Sequence, residues 1–456
     1  RVIANPPFSQ NYKKSELTYK ERFSHFMPEN GKKGDYMFVQ HMIASLKNDG
    51  KMGVVMPHGV LFRGSEEGKF REHLIRDRNI LEAVIGLPSG LFYGTGIPAS
   101  LLIVNKSKKD DKILFINADA EYKESKNQNI LRPEDIEKIN YVYQNRVELD
   151  KYSSLVSLED LEKEGFNLNI RRYVDNTPPP EAHDVKAHIN GGIPKVEWNK
   201  TLMDSFKRDS KLIFEDKDSL YFKFLDAINE KQNIREILED SKGFKETDEE
   251  VLNIVSNWYD NYQSLIDKTA KDIAALYTSG YEMIEKAFEK NSVLDQFKIR
   301  GIFASWWVNN KFTVKSIKNS GYDYTLLSDN FISNNQEFTS SLDDSQKENH
   351  GKLQDLFKKL KSAKEENDKI VIREKIEEQK EKLFENISNI KEWIVLELKT
   401  DALNVINRYL SEKKQSIIKS IENLWDKYQV SLKEIENQRD EATNEIKSFL
   451  SELGYL

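Results

Sequence analysis

The first 120 residues alternate short apolar runs with amphipathic stretches, and beyond about residue 195 that rhythm gives way to long helical periodicities. Val2-Ile3-Ala4 reads as the end of a buried strand, and Pro6-Pro7 just after it forbids helix and ladder pairing alike. The chain is forced into a stiff loop there. Within residues 34–47, Phe38, Met42 and Leu46 recur at intervals of four, which predicts an amphipathic helix with Asp35 available as N-cap and Gly50 as its stop. "KMGVVMP" (51–57) reads as a short buried strand ended by proline, and "EEGKFREHLIRDR" (66–78) as a surface helix with Phe70, Leu74 and Ile75 inward. "ILEAVIGLP" (80–88) and "ASLLIVNK" (99–106) are runs of the kind buried on both faces of a sheet, and "ILFINA" (113–118) adds an edge strand. Strand, helix, strand, helix, strand is the rhythm of an open α/β sheet.

The later chain has another texture. "RPEDIEKINYVYQNR" (132–146) keeps a helical pattern, whereas "FNLNIRRYVDNTPPP" (166–180) does not, and Pro178-Pro179-Pro180 marks a boundary. The expected division is 1–176 for the α/β part, 177–352 for a mostly helical region and 353–456 for long helices. Loop signals fall near Gly243 and Gly321 and in "NNQEFTSSLDDSQKENHG" (334–351). Past Leu353, Ile376, Leu383, Ile387, Ile390, Ile394 and Leu398 form one stripe, and Ile417, Ile421, Leu424, Tyr428 and Leu432 a second. Two long antiparallel helices are expected, whose stripe either closes on itself as a hairpin or covers a partner's helices.

Composition narrows the chemistry. A chain of 456 residues supports two or more cores. No run is apolar enough for a membrane helix, and no leader with an apolar centre precedes a small-residue cleavage site, so a cytoplasmic protein without membrane contact is expected. The absence of cysteine excludes disulfides, thiolate metal sites and cysteine nucleophiles. The seven histidines never stand at ligand spacing with acidic residues, and no metal site is expected. The net charge of −7 argues against a nucleic-acid partner until it is divided by region. Residues 1–110 carry 17 basic against 11 acidic side chains, and the rest 52 against 65. Positive charge therefore gathers where the Pro-Pro loop lies, and such charge is the sequence-independent part of binding a phosphate backbone.

Asn5-Pro6-Pro7-Phe8 carries the sharpest chemistry. The exocyclic amino group of adenine is a poor nucleophile because its lone pair is delocalised into the ring, and acceptors around the nitrogen draw it toward tetrahedral geometry. The Asn5 amide oxygen and the Pro6 carbonyl oxygen each accept one N–H, and Pro7 presets both. Phe8 offers a face on which an extruded base stacks, a contact worth roughly 1–3 kcal/mol. Asn-Pro-Pro-Phe is also simply a good turn, but a strand before it and a helix after it favour the functional reading.

These residues belong to a longer series. "VIANPPFSQNY", "GDYMFVQHMIASLKNDGKMGVVMPHGVLFRG", "EGKFREHLIRDRNILEAVIGLPSGLFYGTGIPASLLIVNK" and "FNLNIRRYVD" strongly resemble the modification (M) subunit of type I restriction-modification systems, which are DNA adenine methyltransferases. The resemblance covers residues 1 to about 176, with weaker echoes at 188–198 and 302–312. It implies a partial Rossmann-like, class I methyltransferase sheet followed by a largely helical region. It also implies S-adenosyl-L-methionine as cofactor, and Asn5, Pro6, Pro7 and Phe8 as the catalytic loop, with Asn5 and Pro7 beside the cofactor. Phe92 is a candidate to hold the flipped base, and Lys13, Lys14 and Arg63 are candidate phosphate contacts. Gly94-Thr95-Gly96 imitates a cofactor loop but precedes a strand, and is expected to be a tight turn. Implied partners are DNA, a specificity (S) subunit, a second M subunit and a restriction (R) subunit.

In such sheets the glycine-rich cofactor loop and the ribose-binding acid precede the Asn-Pro-Pro loop, and only four residues precede it in this sequence. The expectation is that the upstream part lies in sequence not included and that this chain alone is inactive. Two other readings stay open: a non-catalytic helical scaffold, and an enzyme methylating a planar amino group in RNA or protein.

Overall fold

The computed structural model describes all residues except 30–33, 95, 179–180, 182, 199–209, 270–271, 454 and 456. The chain divides into two units, Arg1–Pro180 and Glu181–Leu456. In the first, β1 (Val2–Ala4), β2 (Lys51–Pro57), β3 (Leu81–Gly86), β4 (Ala99–Asn105), β5 (Ile113–Asn117) and β6 (Ser153–Val156) form one sheet in the order β1-β2-β4-β3-β5-β6. Strands β1, β2, β3 and β5 run one way, and β4 and β6 run against them. Leu102 of β4 sits in register with Val54 on one side and Val84 on the other, and all three are buried. Helices α1 (Asp35–Ser45), α2 (Glu66–Glu72), α3 (Pro133–Asn145) and α4 (Leu158–Lys163) complete the unit. Val39 and Ile43 of α1 and Phe70 of α2, with Leu74 just beyond it, share one core with Met52, Val54 and Phe115 of the sheet.

Several local expectations change. Ile113–Asn117 is not an edge strand: β5 pairs with β3 and β6, and all five residues are buried. The edge is β6, whose Ser-Ser-Leu-Val carries too little apolar character to be noticed in the sequence. At the opposite edge, β1 leaves Ile3 88% exposed rather than buried. Gly34, not Asp35, is the N-cap of α1. Phe70, Leu74 and Ile75 do turn inward, although α2 is followed by a π-helical turn over His73–Asp77. Gly94 takes a φ of 76° in the connection before β4, and Thr95 lies outside the described residues, as do Pro179 and Pro180 of the proline triplet.

The second unit joins a three-stranded sheet, β7 (Ile193–Pro194), β8 (Phe214–Asp216) and β9 (Tyr221–Phe224), ordered β7-β9-β8, to many helices. Helix α5 (Val185–Asn190) precedes the sheet, and α6 (Lys231–Glu239), α7 (Lys242–Lys268), α8 (Ile273–Ala287) and α9 (Gln296–Ser320) follow it. Then come α10 (Asp329–Asn334), α11 (Gln336–Ser341), α12 (Asp344–Ser362), α13 (Glu366–Phe384), α14 (Ile390–Tyr428) and α15 (Leu432–Glu452). The expected α/β sheet followed by a largely helical region is thus the architecture found.

The main core of this unit is aromatic. Trp258 stacks on Tyr262 with centroids 5.7 Å apart, Phe303 and Trp306 close around them, and the Trp306 indole N–H donates to the Leu398 carbonyl at 2.8 Å. The helices before and after residue 352 share this core. The two long stripes do not lie on two antiparallel helices. Residues from Ile390 to Tyr428 form the single helix α14, because Ala402, Val405, Ile406, Tyr409 and Leu410 carry the apolar stripe across the interval between them. Gly243 lies inside α7, whereas Gly321, with φ of 85°, does end α9. The polar stretch 334–351 folds into α11 and the start of α12, each begun by a side-chain cap, Asn335 on the Phe338 N–H and Asp343 on the Gln346 N–H.

Candidate functional site

The four strands that run together deliver Asn5, His58, Leu87 and Ala118 to one rim of the sheet, directly after their last residues. Open α/β sheets bind ligands outside such carboxyl ends. Two prolines after Ala4 keep the chain from extending β1, so it turns out over the rim, with Asn5 and Pro7 exposed and Pro6 and Phe8 half-buried. Between β3 and β4, the loop that carries Phe92 is tied down by Asn129, whose side chain donates to the Ser89 carbonyl at 2.9 Å and whose main-chain N–H reaches the Gly90 carbonyl, and by Gln128 on the Leu91 carbonyl. The two loops meet. The Phe8 and Phe92 rings stand edge to face, with centroids 5.8 Å apart and planes 71° apart. Two aromatics 84 positions apart in sequence are therefore in contact, one of them directly after Asn5-Pro6-Pro7.

The basic candidates divide. Lys13 is exposed and pairs with Glu16 at 2.9 Å, and the Lys14 ammonium lies 4.0 Å from the centre of the Phe26 ring. Both remain on the surface of the segment that leaves the loop. Arg63 is turned inward: one guanidinium nitrogen donates to Asp35 at 3.0 Å and to Glu67 at 3.2 Å, and both carboxylates are buried. Glu67 is held above its ordinary pKa by burial, which outweighs the favourable Arg63 charge.

Three features of this rim were not singled out from the sequence. Asp35 accepts the Ser9 main-chain N–H at 2.7 Å. Asp119, just past β5, receives Arg171 at 3.1 Å and the Asn176 amide, beside a depression of about 840 Å³ that Ser89, Tyr122 and Pro98 also line. His58 is pushed below its ordinary pKa by burial and by the nearby Arg171 charge. The available signal was "FNLNIRRYVD": the Leu168 N–H donates to the Leu61 carbonyl at 2.8 Å, and Ile170 packs so closely on Gly86 that a Cβ there would meet it at 2.8 Å.

Among the described residues no group of three or more His, Cys, Asp or Glu side chains is arranged to hold a metal ion, and no helix is long and apolar enough to cross a membrane. Asn5 and Pro7, the candidate cofactor contacts, are both exposed just after the end of β1.

Comparison with known proteins shows what the first unit is similar to. Residues 1–182 match the N-6 DNA Methylase family. A type I restriction enzyme methylase subunit of Methanocaldococcus jannaschii is 36% identical over 196 residues, covering 41% of this chain and 33% of the relative. One from Mycoplasma pneumoniae is 32% identical over 228 residues, covering 48% and 41%. A solved type I methyltransferase subunit from Streptococcus thermophilus is 39% identical, covering 39% of this chain and 38% of that one, with a TM-score of 0.37. The chain thus spans between a third and two fifths of the length of these relatives. Residues 1–182 carry an N-6 DNA methylase domain, and the relatives are methylase subunits of type I restriction enzymes.

Proposed function

We propose that this chain supplies the base-binding half of a DNA adenine methyltransferase acting as the modification subunit of a type I restriction-modification assembly. The observation that carries the reading is the contact of Phe92 with Phe8, the ring that follows Asn5-Pro6-Pro7 at the carboxyl rim of the sheet. The Asn5 amide oxygen and the Pro6 carbonyl oxygen accept the two N–H bonds of an extruded adenine, which concentrates the lone pair on nitrogen. Phe8 stacks on the base, Phe92 closes against it, and Pro7 keeps the acceptors in place without reorganisation. S-adenosyl-L-methionine, when bound, supplies an electrophilic methyl group. Asn5 and Pro7 form the wall it would rest against, and the amino nitrogen gives up a proton to solvent as its bond to carbon forms. No titratable base is needed. Lys13 and Lys14 face the phosphates, whereas the Arg63 charge serves Asp35 and Glu67.

The S subunit, a second M subunit and an R subunit belong to the same proposal. Its support is α15 with its C-cap Leu453: Leu432, Ile435, Ile446, Phe449 and Leu453 fall on the a and d positions of a heptad, with Arg439 and Ala442 at the two positions between, and those five are all exposed. Removal of residues 353–456 does not test this contact, because it would take Leu398 and Ile406 from the core. Substitutions on α15 test it: Ile446→Ser with Phe449→Ser should abolish co-purification with S.

The catalytic test uses the full protein encoded by the reading frame that contains this chain, reconstituted with S, target DNA and radiolabelled S-adenosylmethionine. Label should enter DNA adenine, and Asn5→Ala should lower the rate by at least about 10²-fold, the usual cost of one transition-state hydrogen bond. Label in RNA or protein, or an Asn5→Ala variant of undiminished rate, overturns the reading.

A further inference from the structure

Directly after Phe8 the backbone makes an unusual step. Ser9 has a φ of 55°, a left-handed conformation that a non-glycine residue keeps only when its surroundings hold it. Two bonds hold it. The Ser9 N–H donates to Asp35 Oδ1 at 2.7 Å, and the next residue, Gln10, accepts the Gly34 N–H at 2.9 Å. The start of α1 thus clasps the exit of the Asn5–Phe8 loop, so closely that a Cβ at Gly34 would lie 2.8 Å from the Gln10 oxygen.

The clasp is itself anchored. Asp35 Oδ2 accepts from Arg63 Nη1 at 3.0 Å, so each carboxylate oxygen has one partner on a different element. The Arg63 guanidinium lies against Gly59, in space that a Cβ there would take, since it would meet the guanidinium at 2.6–2.9 Å. The Tyr36 hydroxyl, next to Asp35, donates to the Val60 carbonyl at 2.8 Å, and Arg71 donates to the same oxygen at 2.9 Å. Asp35 is 1% exposed, and a charge at that depth is retained only when both oxygens are used.

We infer that Asp35 is a positioning residue for methyl transfer: through the Ser9 N–H it sets the place of the Asn5–Phe8 acceptors and ring, and Arg63 fixes Asp35 in turn. This rests on the proposed adenine methyltransferase reading. Asp35 does not touch the base; it determines where the atoms that do so stand, and small misplacements are costly in rate while leaving ground-state binding intact.

The test again uses the full protein with S, compared with Asp35→Asn, Asp35→Ala and Arg63→Met. In Asp35→Ala, kcat should fall by roughly 10²-fold while KM for DNA and cofactor stay unchanged. Asp35→Asn keeps an oxygen for the Ser9 N–H and should recover most of the rate. Arg63→Met should fall between them. If Asp35→Ala does not fold, Asp35→Asn against Arg63→Met decides by the same kcat order. A kcat unchanged in all variants overturns the inference, as does an equal loss in Asp35→Asn and Asp35→Ala. Amide exchange at Ser9 reads the clasp without catalysis: faster exchange in Asp35→Ala supports it, and unchanged exchange overturns it. A wild-type protein that methylates no DNA defeats the functional reading alone.

Discussion

In the α/β unit Asp35, Glu67, Arg71, Glu82, Glu134, Asp135 and Glu137 are all buried, whereas among the described residues of the helical unit Lys380 is the one charged side chain at that depth. Much of the buried charge in the first unit holds irregular backbone. Asp35 takes the Ser9 N–H, Asp135 the Arg132 N–H ahead of α3, and Arg71 the carbonyls of Val60 and Phe166. The helical unit has its largest core in stacked and edge-on rings from α7, α8 and α9. Apolar packing stabilises in proportion to area and fixes direction poorly, while a buried carboxylate with assigned partners fixes one geometry. On the proposed reading the contrast has a reason: one unit carries a loop whose acceptors must stand in place, and the other carries packed helices.

The largest expected effect tests the packing side. Trp306 is fully buried and its N–H is satisfied by Leu398, so Trp306→Ala should cost about 3–5 kcal/mol. Guanidinium unfolding measures the loss, and amide exchange should show protection lost in residues 181–456 and kept in 1–180. Equal loss in both would break the comparison.

Next is Gly280→Ala, in which two effects oppose one another. Alanine favours the α8 helix by up to about 1 kcal/mol, yet its Cβ would lie 2.1–2.7 Å from three carbons of the buried Phe303 ring. Overpacking costs typically about 1–3 kcal/mol, so a net loss of stability is expected. A stabilised variant in thermal melts would show that the ring yields and that the core is looser than its contacts imply.

The two units also differed in how far the sequence disclosed them. Strands β2, β3 and β4 are apolar runs long enough to recognise, but β6 is four residues with two serines, and without it β5 looked like an edge. Asp343 and Gln346 form a capping box that is readable in the sequence, yet the polar character of 334–351 hid the helix behind it. The break assumed between Leu398 and Ile417 had no glycine or proline to justify it. At the site, Asn5–Phe8 was legible because the motif is contiguous. Asp35 reads as a helix cap because aspartate at a helix start usually is one, whereas its partner, the Ser9 N–H, is 26 residues away. Arg63 showed the same ambiguity: a lone basic residue in sequence does not disclose two buried carboxylates.

A subtler effect separates two buried glutamates of the α/β unit by sign. Burial alone would raise Glu82, but hydrogen bonds from Tyr143, Asn105 and Lys51 and the Lys51 charge outweigh it and hold its pKa below the ordinary 4.5. Stability from this group is therefore present above 4.5 and lost as pH falls through the lowered value. For Glu67 burial prevails and the pKa is raised, so its contribution is present below 4.5 and lost as pH rises through the raised value. Relative to Glu82→Gln the native protein should lose its advantage on acidification, and relative to Glu67→Gln on raising the pH. Urea titrations across that range read both slopes, and slopes of equal sign would show that the Arg63 cluster is wetter than its burial indicates.

The smallest effect on stability should come from the terminal helix. Ile446 and Phe449 share their apolar chemistry and helical spacing with Ile394 and Leu398, but they are 60% and 63% exposed while the latter pair is buried at 1% and 2%. Leu398→Ala should cost about 2–5 kcal/mol. Ile446→Ser with Phe449→Ser should change stability by less than about 0.5 kcal/mol, the usual range for exposed positions. Chemical denaturation of both variants decides between a stripe that serves the unit's own core and one left open to a partner. A loss in the double variant comparable to that of Leu398→Ala would place α15 inside the fold, and the open heptad seam would no longer support a docking role.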